Sequence, residues 1–358
     1  MRLARLREKM AETNLDGVLI TQPENRRYLS GFTGSAGVLV ITSEQQAIAT
    51  DFRYYEQVRA QCPEWELVQV FRDFETQMLN VLRDLGLGGL SVGFEAGHVS
   101  VDQLHRWEQA LRAHVRLTST TQMVEGMRMS KDQGELQAMK RAVSLADEAL
   151  AHVYGWMQPG MTERQVAWEL ESTMRMRDAT GVSFEVIVAS GPNGALPHRR
   201  PTDRVIQTGE PVVMDLGCVV DGYCSDVTRT VCLGEPNDDE YLKIWNLVLQ
   251  AQERAEAGLK AGIAGVDGDK LARDVIIQAG YGDFFGHGLG HGVGLDIHEM
   301  PRLSLTYSGL IPSRAVVTVE PGIYVSEWGG VRIEDMVLVE ENGVEVLTGA
   351  PKVAVLDR

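Results

Sequence analysis

Three segments of the chain gather carboxylates and imidazoles inside apolar surroundings, and these are where chemistry is expected. In PVVMDLGCVVDGYCSDVTRTVCLG, two strand-like runs flank Asp221-Gly222. That pair suits a two-residue type I′ hairpin turn, whose central positions both need positive φ. With the turn there, Val220 pairs with Tyr223, Gly217 with Asp226 and Asp215 with Thr228. Side chains alternate along a strand, so Asp215 shares a face with Gly217 and becomes the diagonal neighbour of Asp226. Two carboxylates held together in a run of Val, Met and Leu raise each other's pKa and cost stability unless a cation sits between them. A divalent metal ion is the simplest remedy.

The second segment, FFGHGLGHGVGLDIHE, has glycine at every second position from Gly286 to Gly294. Alternate glycines disfavour a helix. In an extended chain His287, Leu289, His291 and Val293 share one face, and the bare glycine face lets another backbone approach closely. With His298, three of the chain's eight histidines fall within this short stretch, a signal of metal binding or proton transfer. Gly288 stands where the H-E-x-x-H motif requires Glu, so this is a different arrangement.

The third segment, AVVTVEPGIYVSEWGGVRIEDMVLV, reads as two apolar strands around a Gly329-Gly330 turn, with Glu320 ending the first and Glu334 within the second. An odd number of loop residues puts both on one face, and a carboxylate in such a strand needs a partner. Together the segments offer four carboxylates and an imidazole, a set that suits Mn²⁺, Co²⁺ or Zn²⁺ and is too rich for one ion. A water bridging two such ions becomes hydroxide near neutral pH while the metals polarise a carbonyl, so hydrolysis is the expected reaction.

Strands interleaved with helices must position these groups. GVLI and AGVLVIT alternate with the amphipathic TQMLNVLRDLGL, the pattern of an α/β domain. The pattern lapses around residues 118–130, which places a boundary near 125 and divides the chain into 1–125 and 126–358. KDQGELQAMKRAVSLADEALAHVYGWM then reads as a helix capped by Ser130 or Asp132 and ended by Pro159-Gly160, and TERQVAWELESTMRMRDATG as a second capped by Thr162. VSFEVIVASG follows as a strand. Further helices are expected over 238–261 and near 268–279.

The 358 residues carry 34 basic and 50 acidic side chains, a net charge of -16, with 44% hydrophobic residues. The length suits two ordinary domains. The charge disfavours nucleic acid and anionic lipid as partners. No run approaches the roughly 18–20 apolar residues of a membrane span, and MRLARLREKMAETNLDGVLI lacks a signal-peptide core, so a cytoplasmic location is expected. Cys62, Cys218, Cys224 and Cys232 form no C-x-x-C pair and read as free buried thiols.

Five ordered motifs, GPNGALPHRRP, MDLGCVVDGYCSDVTRT, HGLGHGVGLDIHE, VEPGIY and GGVRIEDMVLV, resemble those of the pita-bread metallopeptidases, which include aminopeptidase P, prolidase and methionine aminopeptidase. The resemblance spans essentially the whole chain. It implies an α/β (α+β) protein with a C-terminal pita-bread (creatinase/aminopeptidase) domain and a smaller creatinase/prolidase-like N-terminal α/β domain. It also implies two divalent ions, Mn²⁺ foremost, held by Asp215, Asp226, His291, Glu320 and Glu334. By the same resemblance His198 and His298 hold the substrate and steady the tetrahedral intermediate, His287 lines the pocket, Glu320 acts as general base, and Arg332 lies close to the metals.

YLSGFTGSAGVLVIT and ATDFRY resemble the N-terminal domain of aminopeptidase P. In that family the domain helps wall off the active-site mouth, often that of a neighbouring subunit, which implies a homodimer. The expected activity is that of a metal-dependent exopeptidase hydrolysing the Xaa-Pro bond at the N-terminus of proline-containing peptides through a dinuclear metal-bridged hydroxide. This bond is a tertiary amide without an N–H, a poor substrate for ordinary peptidases. An Xaa-Pro dipeptidase (prolidase) shares the motifs and is the alternative; it needs a cation for the proline carboxylate, with Arg199, Arg200 and Arg332 as candidates. Creatinase-like amidinohydrolases and non-catalytic binding modules of this fold lack ligands, whereas all five positions are filled here.

Overall fold

The run GVLI forms β1 (Gly17–Ile20), buried at every residue, as an apolar run without alternation should be. It lies inside a six-stranded sheet with β2 (Val38–Thr42), β3 (Gln46–Asp51), β4 (Glu66–Val70), β5 (Ser91–Glu95) and β6 (Arg116–Thr120), in the order β4-β3-β2-β1-β5-β6. Helices α1 (Arg2–Glu12), α2 (Pro23–Ser30), α3 (Tyr55–Gln61), α4 (Phe74–Asp84), α5 (Val101–Leu111) and α6 (Glu125–Arg128) complete this unit. Asp73 and Ser100 cap α4 and α5 by accepting from Thr76 N–H and Gln103 N–H. Met78, Leu82, Trp107 and Leu111 bury against the sheet. The computed structural model describes residues 1–112 and 114–357, and the chain divides after Arg128.

The second unit starts with α7 (Gln133–Trp156) and α8 (Glu163–Arg175). Each opens with a reciprocal capping box, Asp132 with Glu135 and Thr162 with Gln165. Of the two candidates for α7, Asp132 is therefore the cap. VSFEVIVASG forms two strands rather than one, β7 (Gly181–Val182) and β8 (Ile187–Ser190). The break arises because they serve different sheets: β7 pairs with β10 (Cys218–Val220), and β8 with β9 (Pro211–Leu216).

The aspartate hairpin has the expected register. β11 (Tyr223–Cys224) and β12 (Val227–Leu233) return so that Val220 faces Tyr223 and Asp215 faces Thr228. Asp221 and Gly222 have φ of 48° and 77°, as the type I′ turn requires. At Gly217 the ladder passes from one sheet to the other, and a Cβ there would lie 1.9 Å from Ser225 O. Only glycine fits.

Helices α9 (Asp239–Gly258) and α10 (Gly265–Gln278) pack against a core that includes Trp245, Val248 and Leu303. They precede β13 (Gly290–Gly292), β14 (Glu299–Leu303), β15 (Val316–Val319), β16 (Gly322–Val325), β17 (Gly329–Arg332), β18 (Asp335–Val339), β19 (Val344–Val346) and β20 (Val355–Leu356). The turn expected at Gly329-Gly330 lies instead at 326–328, with Glu327 at φ 64°, while Gly329 and Gly330 pair in β17 with Val325 and Tyr324. These glycines answer to packing: a Cβ on Gly330 would lie 2.1 Å from Gly194 O. Glu334 likewise sits in the gap between β17 and β18, bridged to Thr228, rather than inside a strand. The three-residue loop is odd, so the parity argument survives. Val319 faces Asp335 and Gly322 faces Arg332, and between those pairs Glu320 falls opposite Glu334.

A buried ion pair anchors this junction. Arg229 Nη2 lies 2.7 Å from Asp335 Oδ1, while Nη1 donates to Thr228 O at 2.9 Å and Glu334 O at 2.5 Å. Asp335→Ala leaves the guanidinium buried without its carboxylate. Such breaks cost about 3–5 kcal/mol, and urea unfolding should show a loss of that order; a loss below about 1 kcal/mol would contradict the role given to this pair.

Cys62, Cys218, Cys224 and Cys232 are free and buried. Burial pushes the Cys218 and Cys232 thiols up to about 11, the behaviour of packed rather than reactive cysteines. Among the described residues no helix is long and apolar enough to cross a membrane.

Candidate metal centre

Asp215 sits near the end of β9, Asp226 in the gap before β12, His291 in the middle of β13, Glu320 just beyond β15 and Glu334 before β18. The structure brings all five to one cavity of about 490 Å³, together with His198, His287, His298 and Arg332. Glycine makes the convergence possible. A Cβ on Gly290 would lie 2.0 Å from Thr318 O and one on Gly292 2.3 Å from Met300 O. Both neighbours can therefore close on the β13 backbone, as the bare glycine face suggested.

Asp226, His291 and Glu334 each offer a ligand atom within 4.8 Å of the others. His291 Nε2 lies 3.6 Å from Asp226 Oδ2 and 3.3 Å from Glu320 Oε1. Its Nδ1 is 3.1 Å from Gly292 O, so Nδ1–H donates there and Nε2 presents a bare lone pair to the carboxylates. Glu334 Oε2 accepts from the Thr228 hydroxyl at 2.6 Å. Asp215 Oδ2 accepts from Arg332 Nη2 at 2.6 Å, whereas its Oδ1 is buried with no hydrogen-bond partner among the described residues.

Lone pairs thus meet lone pairs. Burial, followed by the charges of its carboxylate neighbours, holds Asp226 well above the ordinary carboxylate range, and Glu334 likewise. Burial also raises Glu320 to about 7. Burial, then the neighbouring His298, lowers His291 to about 3. Without a cation the cluster favours protonated carboxyls beside a neutral imidazole. Divalent ions reverse the balance by matching four carboxylates and one imidazole, and they fit the orphaned Asp215 oxygen as well.

The other site residues fall into two groups. His287 is committed to the protein: Nδ1 lies 2.8 Å from Gly288 O and Nε2 2.9 Å from the Tyr324 hydroxyl, which also accepts from Arg332 Nη1 at 2.9 Å. Burial, then Arg332, lowers its pKa to about 4, so it stays neutral. His198 and His298 line the same cavity and, among the described residues, their rings make no hydrogen bond. The His298 ring stands edge-on to His291 with centroids 4.5 Å apart.

Sequence reasoning missed Arg302. It faces His291 across the β13–β14 ladder, lines the cavity and is half-buried. Among the described residues, its guanidinium has no carboxylate partner. The three arginines that the sequence offers as carboxylate partners are differently disposed: Arg332 is bound to Asp215, Arg200 pairs with Glu185 at 2.8 Å, and Arg199 is outside the cavity lining. A β-bulge between His291 and Gly292 sets the β13–β14 register, and the strand pattern alone does not reveal it.

Residues 137–341 match the profile of metallopeptidase family M24, and residues 2–130 that of the creatinase/prolidase N-terminal domain. The chain belongs to metallopeptidase family M24. It is 40% identical over 352 residues to the uncharacterized peptidase YqhT of Bacillus subtilis, covering 98% of this chain and 99% of that one. A solved Xaa-Pro dipeptidase from Bacillus anthracis superposes with a TM-score of 0.95 at 40% identity, covering 99% of both chains. The crystal structure of an X-Pro aminopeptidase from Thermotoga maritima gives 0.88 at 38% identity, covering 95% of this chain and 97% of that one. The expected pita-bread class with its creatinase-like N-terminal domain is borne out. The M24 chain is an enzyme of a metal-dependent Xaa-Pro peptidase family, and its carboxylate cluster is where divalent ions fit.

Proposed function

We propose that this M24 enzyme is an Xaa-Pro dipeptidase, with Arg302 binding the carboxylate of the substrate's proline. The Arg302 guanidinium, without a carboxylate partner among the described residues and lining the same cavity as the carboxylate cluster, carries this choice. A planar, permanently charged fork is the side chain best suited to a carboxylate. It shifts the balance from the aminopeptidase activity favoured by the N-terminal resemblance. Cleavage of longer Xaa-Pro peptides remains the second reading, supported by the likeness to the Thermotoga maritima aminopeptidase.

Asp215, Asp226, His291, Glu320 and Glu334 would hold two divalent ions, Mn²⁺ foremost. When bound, these supply Lewis acidity and make water acidic enough to be a nucleophile near neutral pH. Arg332 fixes one oxygen of Asp215 and leaves the other for this task. Glu320, which lines the same cavity, takes the proton from the attacking water and passes it to the proline nitrogen. The free rings of His198 and His298 donate to the developing oxyanion and hold the substrate. His287 stays neutral and orients the Tyr324 hydroxyl. Homodimer assembly and a cytoplasmic location belong to the same reading.

The test is a matched pair, an Xaa-Pro dipeptide and an Xaa-Pro-Xaa tripeptide, assayed with Mn²⁺ and with chelator. Chelator-sensitive dipeptide cleavage is expected. Tripeptide cleavage with the dipeptide spared would replace this reading by the aminopeptidase one, and cleavage of neither would overturn the peptidase assignment. Arg302→Gln should raise KM for the dipeptide about tenfold to a hundredfold, the worth of one charge-assisted contact, with little effect on the matching Xaa-Pro amide. Equal effects on both substrates would remove Arg302 from carboxylate recognition.

A further inference from the structure

His198 lies on the segment 190–202, the first part of the connection from β8 to β9, and its ring makes no hydrogen bond to the protein among the described residues. Its position in the cavity is therefore set by the backbone that carries it. That backbone is clamped from outside the cavity by Glu163, the first residue of α8, which is fully buried. Glu163 Oε1 accepts from Ser190 N–H and the Ser190 hydroxyl, both at 2.8 Å, where the segment begins. Its Oε2 accepts from Thr202 N–H at 3.0 Å and the Thr202 hydroxyl at 2.6 Å, where the segment ends. Asn193 Nδ2 donates to both oxygens, at 3.0 and 3.1 Å. One carboxylate thus ties together both ends of the loop and one point within it.

On the cavity side the loop is held differently. Gly194 packs against the Gly330 backbone, and Arg332 Nη1 reaches Pro197 O at 3.4 Å. His198 is the next residue. Burial alone would raise the Glu163 pKa, but the hydroxyl, amide and backbone donors around it outweigh that and hold it below the usual range. No direct ion pair to Glu163 occurs among the described residues; Arg204 instead reaches Ser190 Oγ at 2.6 Å and pairs with Glu210. The donors themselves compensate the buried charge, at the position in α8 where the helix dipole also favours it.

We propose that Glu163 is the positioning residue of His198: its carboxylate closes the Ser190–Thr202 segment into one conformation and so places the imidazole over the cavity. The inference rests on the peptidase reading of the site, in which His198 touches the substrate. Supports of this kind matter because a displacement of about 1 Å at a group that contacts the reacting atoms can cost two orders of magnitude in rate.

The experiment is a double-mutant cycle on the metal-loaded enzyme, with Glu163→Gln, His198→Ala and the pair assayed on the Xaa-Pro dipeptide. Glutamine keeps the shape but turns one acceptor into a donor facing donors. Glu163→Gln should lower kcat, and kcat/KM with it, about tenfold to a hundredfold with metal content near wild type, and the double variant should be no slower than His198→Ala. Losses that multiply independently, or a wild-type kcat, would overturn the proposal. Limited trypsin digestion supplies a readout independent of activity: cleavage after Arg199 should accelerate in Glu163→Gln, and an unchanged rate counts against the clamp. Thr202→Val, which removes one of the donors to Glu163 and the hydroxyl that accepts from Arg204 N–H and Asn193 Nδ2, serves if Glu163→Gln does not fold, and is expected to be non-additive with His198→Ala at a smaller loss. A wild-type enzyme inactive on every Xaa-Pro peptide would overturn the functional reading, while trypsin would still report whether Glu163 orders the segment.

Discussion

Asp226→Asn leaves the protein folded and removes its turnover. Three observations support this expectation. Asp226 offers a ligand atom within 4.8 Å of those of His291 and Glu334. It is buried, and burial together with the charges of Glu334, Asp215 and Glu320 raises its pKa well above the ordinary value. Its backbone N–H is satisfied by the Met336 sulfur, so the main chain does not depend on the carboxylate. The amide keeps the shape but loses the charge that balances a divalent ion, so metal content should fall and kcat/KM should drop by about 10³-fold or more, as when the metal-supplied nucleophile is lost. Stability should move the other way. In chelator, replacing one of several mutually repelling carboxylates relieves strain in the metal-free cluster, so Tm should equal or exceed that of wild type. Metal analysis, dipeptide kinetics and thermal unfolding in chelator check the three parts. A purified Asp226→Asn protein with full activity would sink the assignment of the metal centre.

Much of this site was legible because local backbone rules pinned it. Asp221-Gly222 admits one tight turn, and that turn fixes which residues face each other for the length of the hairpin, including Asp215 and Thr228. The alternate glycines announced close backbone approach, and Gly290 and Gly292 show it. For Glu320 and Glu334 the turn was misplaced by the glycine pair, yet the two residues still fall opposite each other because only the parity of the loop mattered. Glycine in a strand can serve contact instead of curvature, and nothing local distinguishes the two.

What escaped the sequence depends on distant partners. Arg302 reaches the cavity through a bulged ladder between β13 and β14. Glu163 looked like an ordinary acidic residue in the first turn of a helix, and its donors lie 27 to 39 residues further along the chain. The order of the N-terminal sheet, with β1 between β2 and β5, likewise reflects crossovers that no single strand records. Tertiary context decides such features, so a reading built on local periodicity stops short of them.

Glu320→Gln should make the metal-free protein more stable than wild type at pH 8 and nearly equal to it at pH 4.5. Burial raises the Glu320 carboxyl from its ordinary 4.5 to about 7 in the folded state. The folded chain therefore binds this proton more tightly than the unfolded chain does. The associated stability is fully present below the unfolded pKa and is lost as the pH rises through about 7. Glutamine cannot ionise and escapes that loss. The side chain retains some solvent access, with 16% of its surface exposed, which limits the advantage of the variant at pH 8 to on the order of 2 kcal/mol. His287 and His291, whose lowered pKa values oppose this slope, are present in both proteins, so the difference between the two melting curves reports Glu320 together with the Asp226 and Glu334 carboxyls that its charge raises. The Thr318 hydroxyl, which donates to Glu320 Oε1 at 3.0 Å, can donate equally to a glutamine oxygen. A difference in Tm that fails to grow between pH 4.5 and 8 would show that Glu320 is not the group that titrates. Saturating Mn²⁺ should reverse the ranking, since a ligand that binds only the folded state stabilises by RT ln(1 + L/Kd), with L its free concentration, and the variant has lost one carboxylate for it. Peptide turnover should fall with that loss even at the pH where the variant is more stable, because the carboxylate that destabilises the empty site is the one proposed to carry the proton.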